Sequence, residues 1–244
     1  MILPRLRPAC FLLALRIVLG PGVAAAQSAA QSAELKDLPV VEVLAPRPSR
    51  VFAVLFSGDG GWATMDRAIA GALQWHGVSV VGINAMKYLW HTRTPEGVGA
   101  DLDRIVRHYL DAWKADSVVV IGFSRGAGIV PFMLNRMGGD QRSRVRLVAL
   151  LGAEHTVGFT FHFTELLTSG SKRNQLSVMP EIEKLGATPL VCFYGADEVD
   201  TLCPELKPPH RVVKLSGGHH FDRDYAALGE RIYDELTQRT GGRP

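Results

Sequence analysis

Ser117-Val118-Val119-Val120-Ile121, followed at once by Gly122-Phe123-Ser124-Arg125-Gly126, decides the fold. The first five residues are apolar or β-prone and predict a buried strand. The run from Ala127 to Met137 predicts a helix. Strand, G-x-S-x-G, helix is the nucleophile-elbow pattern. The serine must sit on a sharp strand-to-helix turn that pushes its hydroxyl out of the backbone. Side chains two positions to either side would collide there, so both positions are glycine. A bare pentapeptide is a weak signal; its placement between strand and helix makes it specific. Ser124 is therefore the candidate nucleophile, and a purely structural turn is the competing reading.

The pattern requires an acid and a histidine further along the chain, in that order. Residues 189–195 read as a buried strand ending in glycine. They run into Ala196-Asp197-Glu198-Val199-Asp200-Thr201-Leu202-Cys203-Pro204. A strand from Arg211 to Leu215 leads to Gly217-Gly218-His219-His220-Phe221. Acid and base thus follow the C-terminal ends of successive strands, where open α/β sheets bind ligands.

Upstream, Val40 to Leu44 reads as an edge strand and Val51 to Phe56 as a buried one. Thr64 to Trp75 is a helix with Ile69, Ala72 and Leu73 on one face, and Val78 to Ile83 is a buried strand. Residues 84–95 form a loop. Glu96 to Trp113 is a helix carrying Leu102, Ile105, Val106, Tyr109 and Leu110 on one face. Arg146 to Leu151 is a strand, 155–173 is irregular, Val178 to Leu185 is a short helix, and a closing helix spans Asp222 to Thr237. Strands alternating with helices predict a doubly wound, mostly parallel sheet with helices on both faces.

The chain has 244 residues, 47% of them hydrophobic, and a net charge of +3. That suits one α/β domain, expected over residues 39–240. The mild charge, without a Lys/Arg block beyond the N-terminus, gives no case for nucleic acid. Arg5 and Arg7, an apolar run from Cys10 to Leu19 and Ala24-Ala25-Ala26 read as a secretory signal peptide over 1–26, followed by a flexible leader over 27–38. The expected location is outside the cytoplasm. Removing the signal leaves Cys192 and Cys203. An even pair in an oxidising compartment suggests a disulfide; a buried Cys192 with an unrelated Cys203 is the other reading. Neither the histidine spacing nor two cysteines makes a metal site, and no cofactor is expected.

An acyl-transfer serine needs two N–H donors for the developing oxyanion. One is expected from Arg125, at the start of the helix. The other is expected from the loop Ser57-Gly58-Asp59-Gly60-Gly61, at Asp59, with Gly60 as the alternative. That loop lacks the lysine of a P-loop and the spacing of G-x-G-x-x-G.

Several segments together resemble the VirJ/AcvB group of bacterial virulence proteins within the α/β-hydrolase superfamily. They are Phe56 through Trp62, Lys87-Tyr88-Leu89-Trp90 with Arg93-Thr94-Pro95, Gly122 through Ala127, Tyr194-Gly195 through Pro204, and Gly218 through Asp222 with Tyr225. The resemblance covers nearly all of the chain after the signal, in the short form without an added N-terminal domain. It implies a periplasmic serine hydrolase that removes aminoacyl groups, lysyl or alanyl, from aminoacyl-phosphatidylglycerol. It also implies a link to virulence and type IV secretion components. The superfamily places its aspartate four residues before a proline, which favours Asp200 over Asp197. Its Gly-His-x-Phe pattern selects His219, with His220 shaping the pocket. Asp59 is the candidate to meet a substrate ammonium. Tyr88 and Trp90 are candidates to contact the aminoacyl group or lipid headgroup, and Phe159, Phe161 and Phe163 to wall the pocket; all of these would be equally ordinary as core or strand residues. A soluble-substrate esterase or peptidase and a non-enzymatic secretion partner remain as rival readings.

Overall fold

The computed structural model describes residues 35–160 and 175–240. The expected signal peptide and most of the leader lie outside the described residues, as do Phe161 and Phe163. Seven strands form one sheet: β1 (Val40–Val43), β2 (Val51–Phe56), β3 (Ser79–Ile83), β4 (Ser117–Phe123), β5 (Val145–Leu151), β8 (Leu190–Gly195) and β9 (Arg211–Leu215). Their order is β1-β3-β2-β4-β5-β8-β9. Only β1 is antiparallel to its neighbour, pairing Val40 with Ile83. A two-stranded hairpin, β6 (Thr156–Val157) with β7 (Leu176–Ser177), stands apart from the sheet.

The helices are α1 (Thr64–Trp75), α2 (Ala85–Tyr88), α3 (Pro95–Ala112), α4 (Arg125–Arg136), α5 (Gly139–Arg142), α6 (Met179–Glu183) and α7 (Tyr225–Thr240). Strand alternation sorts the core into two layers. Phe52, Val54 and Phe56 join the apolar residues of α3, α4 and α6 on one face. Val51, Ala53 and Leu55 join Met65, Ile69 and Leu73 of α1 and Leu228, Ile232 and Leu236 of α7 on the other. The central strands are apolar on both faces because both are covered, as parallel sheets require. Among the described residues no helix is long and apolar enough to cross a membrane.

The chain winds from β2 to β3 in one direction and crosses back to β4 on the other side of β2. This reversal opens a crevice at the carboxyl ends of β2 and β4, the position where such sheets take ligands. The glycine loop after β2 and the serine after β4 meet there. The one difference from the sequence reading in this region is α2. Asn84 caps it, its side chain accepting from Lys87 N at 3.1 Å, and its four residues are too few to show a helical period.

Candidate active site

Ser124 sits between β4 and α4 at φ 53°, ψ −119°, a conformation that L-residues avoid. Both elbow glycines have a direct steric reason. A Cβ on Gly122 would stand 2.5 Å from the Gly126 carbonyl oxygen, and one on Gly126 would stand 2.3 Å from the Phe56 carbonyl oxygen. Holding Ser124 in this turn costs about 1–3 kcal/mol. Val118, Val119, Val120 and Ile121 just before it are no more than 1% exposed. Each such burial contributes roughly 1.5–3 kcal/mol, so the strand easily holds the strained turn in place.

His219 follows β9 in a tight loop. Its Nδ1 lies 2.5 Å from Oε1 of Glu198. The side chain of Glu198 is only 4% exposed, and its other oxygen accepts from Gly195 N at 3.1 Å. The carboxylate is therefore fixed at both oxygens in the turn directly after β8. Its hydrogen bond is the main reason the His219 pKa is raised above its ordinary value; burial works against it. Glu198 is the acid beside the histidine, and this corrects the expectation for Asp200. The side chain of Asp200 is 73% exposed and turned away, 3.0 Å from Nδ1 of His155. Glu205 takes the other nitrogen of His155 at 2.6 Å. Asp197 makes its backbone bond to the Gly217 carbonyl and no side-chain bond to His219.

Ser124 and the His219–Glu198 pair converge on the end of β5. Ser124 N donates to the Leu151 carbonyl at 2.9 Å. The next residue, Gly152, has φ +58°, and a Cβ there would lie 2.8 Å from the His219 ring and 3.0 Å from Oε1 of Glu198. Gly152→Ala should therefore displace the pair. The expected result is a fall in kcat of about 10²-fold, the scale of a 1 Å misplacement, with a loss of about 1–2 kcal/mol in stability from the left-handed backbone. Ester-hydrolysis kinetics beside thermal melts checks this; unchanged kcat would contradict it. The Ser124 hydroxyl itself makes no hydrogen bond among the described residues.

The loop after β2 crosses the elbow closely: a Cβ on Gly58 would come within 3.2 Å of Ser124 Cβ. Ser57 anchors it, buried, accepting from Ala85 N at 2.9 Å. Asp59 and Arg125, the two expected oxyanion donors, also pair through their side chains, Arg125 Nε to one carboxylate oxygen and Nη2 to the other at 3.1 Å. Two cavities flank Ser124. One, of about 40 Å³, is polar and includes Ser124, Asp59, Arg125, Glu154, Thr156 and Gln175 in its walls. The other, of about 180 Å³, lies across Phe123 and includes Gly58, Gly60, Asp66, His220 and Tyr225. Asp66 in that wall is buried, with Oδ2 accepting from Ala63 N and Oδ1 unpartnered; burial pushes its pKa up to about 6.

His220 thus stands at a cavity beside the elbow, its pKa lowered by burial and by its neighbour His219. Tyr88 does not reach either cavity. It is 1% exposed, donates to Asp101 at 2.6 Å and packs edge-on against Phe56, so it is a core residue rather than a substrate contact. Trp90 is 63% exposed and absent from both cavity walls. A disulfide joins Cys192 of β8 to Cys203, both fully buried. It brackets the segment that carries Glu198, closing that loop at both ends. Among the described residues no group of three or more His, Cys, Asp or Glu is placed to hold a metal ion.

The model of the bacterial virulence protein VirJ matches residues 50–240. The chain belongs to the VirJ family. Every residue of the site, from Gly58 to His220, lies within that match. The chain has the α/β-hydrolase fold, as solved structures of low identity show. An esterase from Pyrococcus furiosus superposes with a TM-score of 0.58 at 14% identity, covering 85% of this chain and 95% of that one. Est1E of Butyrivibrio proteoclasticus, solved with ferulic acid, gives 0.54 at 12%, covering 84% and 96%. An α/β serine hydrolase homologue from Coxiella burnetii gives 0.56 at 18%, covering 79% and 88%. No curated protein matches the chain significantly in sequence.

Proposed function

We propose that this VirJ-family chain is a serine hydrolase that cleaves the aminoacyl ester of aminoacyl-phosphatidylglycerol, with Ser124, His219 and Glu198 as its triad. The observation that carries the hydrolase reading is Ser124 on its strained elbow, with the His219–Glu198 pair held against the end of the neighbouring strand.

The chemistry follows from the roles. Glu198 holds Nδ1 of His219 and leaves Nε2 to act as base. The Ser124 oxygen attacks the ester carbonyl carbon and its proton passes to Nε2. The negative oxygen that forms is stabilised by the backbone N–H groups of Asp59 and Arg125, the second at a helix N-terminus. Collapse breaks the ester bond. The lipid hydroxyl leaves with the proton from His219, and the amino acid stays on Ser124 as an acyl-enzyme. Water, deprotonated by His219, then releases the free amino acid and restores the serine.

The aminoacyl-lipid substrate rests on family resemblance and on two further arguments. An exported enzyme, as the first 26 residues imply, reaches the periplasmic face of the inner membrane. A protonated amine beside an ester also makes its carbonyl a better electrophile. The test supplies purified protein with lysyl- and alanyl-phosphatidylglycerol in mixed micelles and follows free amino acid. Release that disappears in Ser124→Ala is the expected outcome. No release from either lipid, beside brisk hydrolysis of a short soluble ester, would favour a general esterase.

A further inference from the structure

The cavity of about 40 Å³ beside Ser124 holds two carboxylates and one guanidinium. Asp59, the residue that sequence reasoning assigns to a substrate ammonium, is already matched by Arg125 at both oxygens. Arg125 also donates from Nη1 to the Thr160 carbonyl at 3.2 Å. Glu154 differs: among the described residues its carboxylate has neither a hydrogen bond nor an ion pair.

Its position is nonetheless well fixed. Glu154 comes two residues after Gly152, at the end of β5. The carbonyl of Ala153 accepts from Leu202 N at 2.9 Å and from the Thr201 hydroxyl at 3.3 Å. On the other side His155 is clamped between Asp200 and Glu205. The backbone is thus held on both flanks while the solvent-exposed side chain of Glu154 forms part of the wall of the cavity that contains the nucleophile. This also gives Asp200 a role: it helps hold the segment that presents Glu154.

We propose that Glu154 is the receptor for the α-ammonium of the substrate's acyl group, and so sets the preference for aminoacyl over plain acyl esters. The proposal rests on the aminoacyl-ester reading above. In such an ester the ammonium nitrogen stands about 2.5 Å from the carbonyl carbon, two bonds away. Its receptor must therefore share a small space with Ser124, as Glu154 does. A site for one water needs roughly 10–15 Å³, so this cavity admits an ammonium and the first carbon atoms attached to it. The surrounding charges fit as well. Desolvation raises the pKa of Glu154, as do the negative charges of Asp200 and Asp59; positive charge at His219 and Arg125 opposes them. A cation entering the cavity relieves that unfavourable acidic environment. An uncharged acyl group makes no such interaction.

The test uses two soluble methyl esters, alanine methyl ester and methyl propionate, which differ only by an ammonium in place of one α-hydrogen. Values of kcat/KM are measured for the wild type, Glu154→Gln and Glu154→Asp. The wild type is expected to prefer the alanine ester. In Glu154→Gln the alanine-to-propionate ratio should fall about 10–100-fold, the scale of a hydrogen bond to a charged group. Glu154→Asp should recover part of it. Melting curves and the rate of labelling by a fluorophosphonate separate loss of recognition from loss of fold or triad. A wild type with no preference defeats the aminoacyl reading and this proposal with it. A wild type that prefers the alanine ester, with the ratio unchanged in Glu154→Gln, overturns Glu154 alone and leaves the aminoacyl reading standing. Equal losses on both esters would assign Glu154 to the triad's support and overturn its role in recognition.

Discussion

Ser124→Ala is expected to lower kcat for ester hydrolysis by about 10⁴–10⁶-fold, the cost of removing a nucleophile from a triad. The fold should survive intact. The change removes one oxygen that makes no hydrogen bond among the described residues, and alanine faces the same φ of 53° as serine. The elbow is shaped by Gly122, Gly126 and the buried strand before them, none of which changes. A melting temperature close to wild type with hydrolysis abolished is the predicted pair of results. Activity within tenfold of wild type would end the account of Ser124 as nucleophile.

The second large effect separates two acids two residues apart. Glu198→Gln should reduce kcat by about 10³–10⁴-fold, because an amide holds the imidazole in the wrong tautomer and cannot stabilise its charged form. Asp200→Asn should stay within about tenfold in hydrolysis of methyl propionate, since its carboxylate faces His155 on an exposed surface. The two also differ in pH dependence. His219 accepts the serine proton only when neutral, so activity climbs as pH rises through its pKa. Glu198 holds that pKa above the ordinary value. In Glu198→Gln the residual activity should climb at lower pH than in wild type, whereas in Asp200→Asn the limb should remain nearly in place. Rate–pH profiles of the three proteins decide it. A reversed ranking would make Asp200 the acid.

The sequence carried the elbow because its constraint is local. Two glycines, a strand and a helix lie within twenty residues of one another, and each answers a steric demand at Ser124. The sheet was legible for a similar reason, since strands covered on both faces are apolar at every position. The choice of acid was not local. Counting back from Pro204 pointed to Asp200, but the chain turns immediately after Gly195, and Gly195 N draws the Glu198 carboxylate into that turn. A signal was present: Glu198 stands only three residues after Gly195, the glycine that ends β8. Asp200 is taken up by His155, 45 positions earlier, and chain order gives no hint of that contact. Tyr88 illustrates the same limit. Its motif suggested a substrate contact, yet Asp101, thirteen residues on, receives its hydroxyl inside the core. Glu154 went unnoticed because one acid after an apolar strand has no pattern; only the cavity it shares with Ser124 distinguishes it.

The central claim is that Ser124 is a nucleophile activated by His219 and Glu198. Treating the purified protein with a fluorophosphonate and locating the adduct by peptide mass spectrometry tests it most directly. The account predicts one adduct, on Ser124, formed far more slowly in Glu198→Gln than in wild type and absent from Ser124→Ala. No adduct on folded wild-type protein, or an adduct that persists in Ser124→Ala, would contradict it.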